Sequence, residues 1–374
     1  MADSFEGRMS TSRIGINDLA TNLDFLIEYG CPSIAFRTRL EILKEDGDSE
    51  VLRGLYEEIK ADPGVLHVLG LQREDGWIGT RFHTAESHDQ FTGTEISTRY
   101  LFEKGFKPDD AAMTEVRKAL YRVFSDDSSR NNTDNTPASF THYDETSGNY
   151  GGFRTILASL LVRFLDEDNE YVKTETESAL LAFRQVLKYS KLSDIAYPLK
   201  GKLYFHEDLA WPCIYHLRLL AHSKGWRTRE NLAMIAVSLN KLSEILPLAN
   251  QIYIRKNKKI YAPAQAFVSD FMPDIDKPLE NMDFFWFDRM ELYARLGVVR
   301  GVPVLSNQLD KMKSTLRKSG GIFKPDRVSS NFKAWNAYHG LMLEPSHKRK
   351  ESRWADSTFR CALIEHYSNK TLGE

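Results

Sequence analysis

Gly148-Asn149-Tyr150-Gly151-Gly152 opens the stretch whose reading decides the fold. The segment directly after it, Phe153-Arg154-Thr155-Ile156-Leu157-Ala158-Ser159-Leu160-Leu161-Val162, is apolar on all sides of a 3.6-residue helix. Such a helix has to be surrounded by others. The next periodic segment, Tyr171 to Tyr189, carries Thr174-Glu175-Thr176-Glu177 on a polar face, so it belongs on the outside. A turn of glycine and aromatic residues, a polar loop, a wholly apolar helix and an amphipathic partner thus make one unit.

The same unit recurs along the chain. Asp75-Gly76-Trp77-Ile78-Gly79 precedes a helix from Thr94 to Lys104 and a partner from Asp109 to Val123. Gly201-Lys202-Leu203-Tyr204-Phe205 precedes Asp208 to His222, partnered by Arg229 to Leu246. Lys259-Ile260-Tyr261 leads through a long loop to Met282 to Leu296 and a helix near Leu305 to Lys318. Gly320-Gly321-Ile322-Phe323 opens the last copy, whose final helix, Trp354 to Tyr367, has no successor. Upstream, Leu19, Leu23, Leu26 and Ile27 form one stripe, and Ile34, Phe36, Leu40, Ile42 and Leu43 a second. Gly30-Cys31-Pro32 turns between them, and Ser49 caps a helix to Lys60 that Asp62-Pro63-Gly64 ends.

Repeated hairpins that share a core close into a ring or stack as an open solenoid. The contrast between apolar first helices and polar-faced second helices predicts the ring, with the unpartnered last helix closing on the N-terminal one. The expected fold class is all-α, an α/α toroid of about five to six hairpins in a single domain over 1–374, with N-terminal helices in 1–64 and the repeats in 65–374.

Lys and Arg number 50 against 52 Asp and Glu, a balance without the basic excess that a phosphate backbone demands, so no nucleic-acid partner is expected. The short basic runs Arg255-Lys256-Asn257-Lys258-Lys259 and His347-Lys348-Arg349-Lys350 read as solvated charge. Cys31, Cys213 and Cys361 are scattered, odd in number and without a CxxC pair, which fits a reducing, cytoplasmic setting. No run of about 18 apolar residues predicts a transmembrane segment. Phosphate-loop, dinucleotide and nucleophile-elbow motifs are absent from the sequence.

Gln72-Arg73-Glu74-Asp75-Gly76-Trp77-Ile78-Gly79 resembles the Q-x-x-D-G-x-W-G turn of the α/α-toroid proteins, shortened by one residue. That family includes squalene and related terpene cyclases and the protein prenyltransferase β-subunits. Gly151-Gly152-Phe153, Gly320-Gly321-Ile322-Phe323 and Ser352-Arg353-Trp354 extend the likeness over residues 65–370. The resemblance implies the toroid fold and an isoprenoid-like substrate. The family's D-x-D-D acid has as its nearest counterpart Asp274-Ile275-Asp276-Lys277, which lacks the final acid, and the zinc-holding cysteine context is missing.

In a ring of this kind the loops before each apolar helix line the cavity mouth. His142, Asp144, His206 and Glu207 are the acid-base candidates, because an imidazole beside a carboxylate titrates near neutrality and is oriented by it. Trp77, His83, Tyr143, Tyr204, Trp211, Asp283, Trp286, Asp288, Trp335, His339 and Trp354 are the substrate-binding candidates. His83-x4-His88 has ligand spacing without a third ligand of fixed position, so neither metal nor cofactor is expected. The expected partner is a small molecule, lipid-like or a sugar, held in an aromatic-lined central cavity. A carbohydrate lyase or hydrolase of α/α-barrel type and a non-catalytic scaffold for a protein or peptide are the alternatives.

Overall fold

Side chains of six helices turn inward around one charged centre, and the local sequence explains how each helix starts and stops. A computed structural model describes residues 19–83, 89–125, 153–206, 209, 211–245, 252–256, 259–261, 270–271 and 274–369. The chain is mostly helical. α1 (Leu23–Tyr29) starts where the Asn22 side chain accepts the Phe25 amide. α2 (Pro32–Arg37) runs on into one π-turn over Thr38–Ile42. α3 (Glu50–Lys60) is capped by Ser49, as expected. Asp62-Pro63-Gly64 does not only end that helix. The Asp62 carboxylate accepts the Gly64 and Val65 amides, and proline at the first helical position starts α4 (Pro63–Gly70).

Next come α5 (Thr94–Lys104), α6 (Ala111–Ser125), α7 (Phe153–Leu161), α8 (Glu170–Val186), α9 (Ile214–His222) and α10 (Arg229–Ile245). Beyond them lie α11 (Asp276–Asn281), α12 (Phe284–Leu296), α13 (Pro303–Lys318), α14 (Ser330–Lys333) and α15 (Lys350–Ser368). Left-handed Gly105 and Gly297 end α5 and α12. No helix among the described residues is long and apolar enough to cross a membrane.

Four short strands were not foreseen. β1 (Ala196–Leu199) and β2 (Lys202–Phe205) pair antiparallel, β2 runs parallel to β3 (Ile252–Lys256), and β3 pairs antiparallel with β4 (Lys259–Tyr261). Lys200 at φ 51° and Gly201 at φ 76° make the two-residue loop between β1 and β2. Positive φ at both positions matches the twist of a tight hairpin, so Gly201 to Phe205, expected as a turn before a helix, is half of a hairpin instead.

The helix neighbours run α2, α5, α7, α9, α12, α15 and back to α2. α8 packs on α7, α9 and α10, and α13 on α10 and α15, outside that circuit. Burial follows the two layers. α9 is buried from Ile214 through Ala221, whereas α8 buries one face through Val172, Ala179, Phe183 and Val186. The buried apolar side chains form one connected cluster. At roughly 25 cal/mol per Å² of apolar area removed from water, that cluster is the main stabilising term.

The glycine turns are required by close approach. A Cβ on Gly79, at φ 72°, would strike the Thr92 backbone, and one on Gly76, at φ 86°, the Glu115 carbonyl. The Gln72 side chain locks that turn by donating to the Gly76 and Ala112 carbonyls at 3.3 and 2.8 Å. At the other end of the chain the Asn22 amide donates to the Gly321 carbonyl at 2.9 Å, and the Ala20 amide to Glu365 Oε1 at 2.9 Å. The last helix therefore meets the N-terminal segment.

Candidate functional site

α5, α7, α9 and α12 carry charged or polar residues spaced three or four apart toward one shared centre, and α15 adds one more. α5 presents Glu95, Arg99 and Glu103, and α9 presents Arg218 and His222. α12 presents Asp288, Glu291 and Arg295, α15 presents Arg360, and Ser159 of α7 is followed one turn on by Arg163. On a helix such spacing stacks side chains on one face. Here that face is largely buried, and it lines a cavity of about 40 Å³, room for about three water molecules. Five arginines and three carboxylates line it.

On one side of the cavity the charges are matched. Glu103 accepts from Arg37 at 2.7 Å and Arg360 at 3.0 Å, and pairs with Arg163 at 3.3 Å. Burial opposes its ionisation, but Arg37, Arg360 and Arg163 outweigh burial and hold its carboxyl well below the usual range. Glu291 takes Arg360 at 3.1 Å and Arg295 at 2.9 Å. The π-turn places Glu41 against Arg37 at 2.5 Å and Arg295 at 3.5 Å. Burial would raise the Glu41 pKa, yet these two cations bring it down to about 2. The His222 pKa is held well below its ordinary value, first by burial and then by Arg163 and Arg295.

The opposite side is less fully matched. Arg99 donates from Nη1 to the Asn336 and Ala337 carbonyls at 3.1 and 3.0 Å. Among the described residues no carboxylate lies within ion-pair distance of it. Its pKa falls to about 10, through burial first and then the neighbouring Arg218. Arg218 donates to the Ala337 and Tyr338 carbonyls, each at 2.8 Å, and reaches Glu95 only at 3.5 Å. Glu95 is engaged more closely by His83, whose Nδ1–H donates to it at 2.5 Å with both side chains buried. Tyr215 and Tyr338 flank the His83 ring, each at 5.8 Å. The arrangement has two capacities: cationic donors for an anion, and a buried imidazole-carboxylate pair for moving a proton.

Of the residues expected from the sequence, His83, Asp288, Trp335 and His339 come to this end of the molecule. Asp288 lines the cavity and takes Arg289 at 2.5 Å. Trp335 packs edge-on against Tyr100, with centroids 5.1 Å apart. His339 donates from Nδ1 to the Ala334 carbonyl at 3.2 Å and accepts from Asn336 at 2.6 Å.

The others are placed elsewhere. Trp77 wedges against Phe82 in the core, Trp211 against Phe205, and Tyr204 stacks within the sheet between Tyr197 and Tyr253. Trp286 donates to Gln308, joining α12 to α13, and Asp283 caps α12. Trp354 sits under Lys324 and Lys350, and His206 is exposed, donating to the Ser193 carbonyl at 3.2 Å. These seven do not line the cavity. His142, Tyr143, Asp144 and Glu207 lie outside the described residues.

Sequence reasoning passed over Arg99, Glu103, Arg163, Arg218, Glu291, Arg295 and Arg360. The signal was present: charges four apart inside helices that otherwise have to be buried. Among the described residues no three His, Cys, Asp or Glu side chains cluster to hold a metal. Comparison with protein-family models, with curated proteins and with solved structures finds no match for this chain. The site has to be read from its own residues.

Proposed function

We propose that the circuit of helices is an α/α toroid and that its centre binds the anionic group of a small organic molecule. One observation carries the reading: among the five arginines that line the cavity, Arg99 has no described carboxylate within ion-pair distance and donates to two backbone carbonyls. Desolvated guanidiniums are costly to keep without a counter-charge. An anion repays that cost with short, charge-assisted hydrogen bonds.

The isoprenoid-like and sugar substrates expected from the sequence become two bodies able to carry such a group, a prenyl diphosphate and an acidic sugar. His83 with Glu95 is the acid-base pair of this reading, its imidazole oriented by the carboxylate. Burial of the charged surface favours a small ligand over a peptide, which would need an open groove. The three cysteines form no disulfide, which agrees with a cytoplasmic setting.

The test is a thermal-shift and calorimetric titration of the wild type and Arg99→Gln with inorganic pyrophosphate, D-glucuronate, D-glucose and farnesol. Stabilisation by one of the two anions, lost in the variant, supports the proposal and names the class. Equal responses to charged and uncharged probes, or a response that survives Arg99→Gln, overturns it.

A further inference from the structure

One oxygen at the centre is held by more donors than a peptide carbonyl ordinarily accepts. The Ala337 carbonyl takes Arg218 Nη1 at 2.8 Å, Arg99 Nη1 at 3.0 Å and the Tyr215 hydroxyl at 3.4 Å. A carbonyl oxygen has two lone pairs and only a partial negative charge. Two guanidiniums converging on it, beside a phenol, is a geometry suited to an oxyanion.

The oxygen belongs to a strap, residues 334–340, whose turn is made by its own side chains and backbone. The Asn336 side chain makes its turn, accepting the Tyr338 and His339 amides at 2.8 and 3.0 Å. The Asn336 amide closes it onto the His339 carbonyl at 2.9 Å. Gly340, at φ 150°, lies against the Trp335 ring, where a Cβ would come within 2.5 Å. The flanking Leu341 and Leu343 carbonyls are gripped in the same manner, by Arg360 Nε at 3.1 Å and by Lys104 at 2.7 Å. Buried cations on three helices thus spend their donors on backbone oxygens of one loop.

We propose that the Ala337 carbonyl occupies the seat of the ligand's oxyanion, a carboxylate or phosphate oxygen, and that the ligand binds by displacing the 334–340 strap from Arg99 and Arg218. This rests on reading the centre as an anion site and adds that the seat is filled by the chain itself until a ligand competes for it. A full negative charge between the two guanidiniums offsets a repulsion that a carbonyl dipole leaves standing. The exchange opens the end of the cavity that the strap covers, which a ligand larger than a few waters requires.

Two measurements test this with inorganic pyrophosphate and D-glucuronate as probes, one for each source of the oxyanion. In the wild type, hydrogen exchange of the amides of Trp335, Asn336, Tyr338, His339 and Leu341, all hydrogen-bonded in the closed strap, is tracked with and without probe. Displacement predicts faster exchange in the strap when the probe is bound, while the inner helices slow. In Asn336→Ala, which removes the side chain that makes the turn, the probe is expected to bind about threefold or more tightly, because the competent state is already populated. Binding by Asn336→Ala alone, with none by the wild type, has the same meaning. Binding by the wild type with unchanged or slower strap exchange sinks the displacement and leaves the anion site standing. No binding to either protein removes both.

Discussion

Replacing Arg99 by methionine separates a binding role from a structural one, because the first predicts little change in stability and the second a large loss. The guanidinium is buried and its pKa has fallen from the ordinary 12.5 to about 10. At about 1.36 kcal/mol per unit, holding the charge there costs roughly 3 kcal/mol. Its two hydrogen bonds to the Asn336 and Ala337 carbonyls, made by a charged donor, return about 1.5 kcal/mol or somewhat more each. Arg99→Met is therefore expected to leave stability within about 1 kcal/mol of the wild type. With an unfolding entropy of about 2.1 cal/mol/K per residue, 374 residues convert that margin to about 1 °C in Tm. The sign with pH is also fixed. A base whose folded pKa is depressed is penalised at every pH below that value, and relief comes only as pH climbs from about 10 to 12.5, so the difference is flat between about pH 6 and 9. Urea unfolding across that range, with the anion titration repeated on the variant, is the assay. A loss of 3 kcal/mol or more, as when one partner of a buried ion pair is removed, would refute the reasoning.

Glu103→Gln is the opposite case. Stripping the carboxylate shared by Arg37, Arg163 and Arg360 is expected to cost about 3 to 5 kcal/mol, while Glu115→Gln in the exposed pair with Lys118 changes urea stability by less than about 0.5 kcal/mol. Acid unfolding should track the same centre: Glu41, down to about 2 from 4.5, contributes stability that is complete above about pH 5 and fades as pH falls toward 2, which Glu41→Gln abolishes in a pH series. Asp270 runs the other way, burial having raised its carboxyl to about 7. Its neutral form is favoured in the fold, so the wild type weakens as pH rises through 4 to 7, and Asp270→Asn should match it at pH 4 and surpass it at pH 8.5 in thermal melts. Gly340→Ala places a methyl group into the Trp335 ring and should speed hydrogen exchange of 334–340 without slowing that of the inner helices.

Helix existence was legible, and so were many helix ends, wherever one local signal acted alone. Thr94 to Lys104 matches α5 residue for residue, and Ser49 caps α3 as read. Asp62-Pro63-Gly64 was half read, because the residues that stop one helix also start the next. The β1–β2 hairpin escaped because Lys200 in a positive-φ position gives no compositional sign.

The charged cavity was not legible in the sequence. Aromatic residues were expected to line it, yet Trp77, Trp211 and Trp286 serve as wedges between elements. Arg99 and Arg218 sit in segments whose apolar neighbours had already marked them as buried. A charge in such a segment has nowhere to go except toward other charges, and that inference needs the packing of the helices before it can be drawn. Periodicity finds the buried face of a helix but does not say what meets it there.

The grip of buried cations on the Asn336, Ala337, Tyr338, Leu341 and Leu343 carbonyls leaves an evolutionary freedom in that loop. Every residue type supplies the same oxygen. Side chains such as Tyr338, which is 41% exposed, are spectators to the anchoring and are open to change without loosening it. Position 338 can therefore vary while the cations beneath hold its backbone, whereas buried Ala337 and Gly340, packed on the Trp335 ring, have no such freedom.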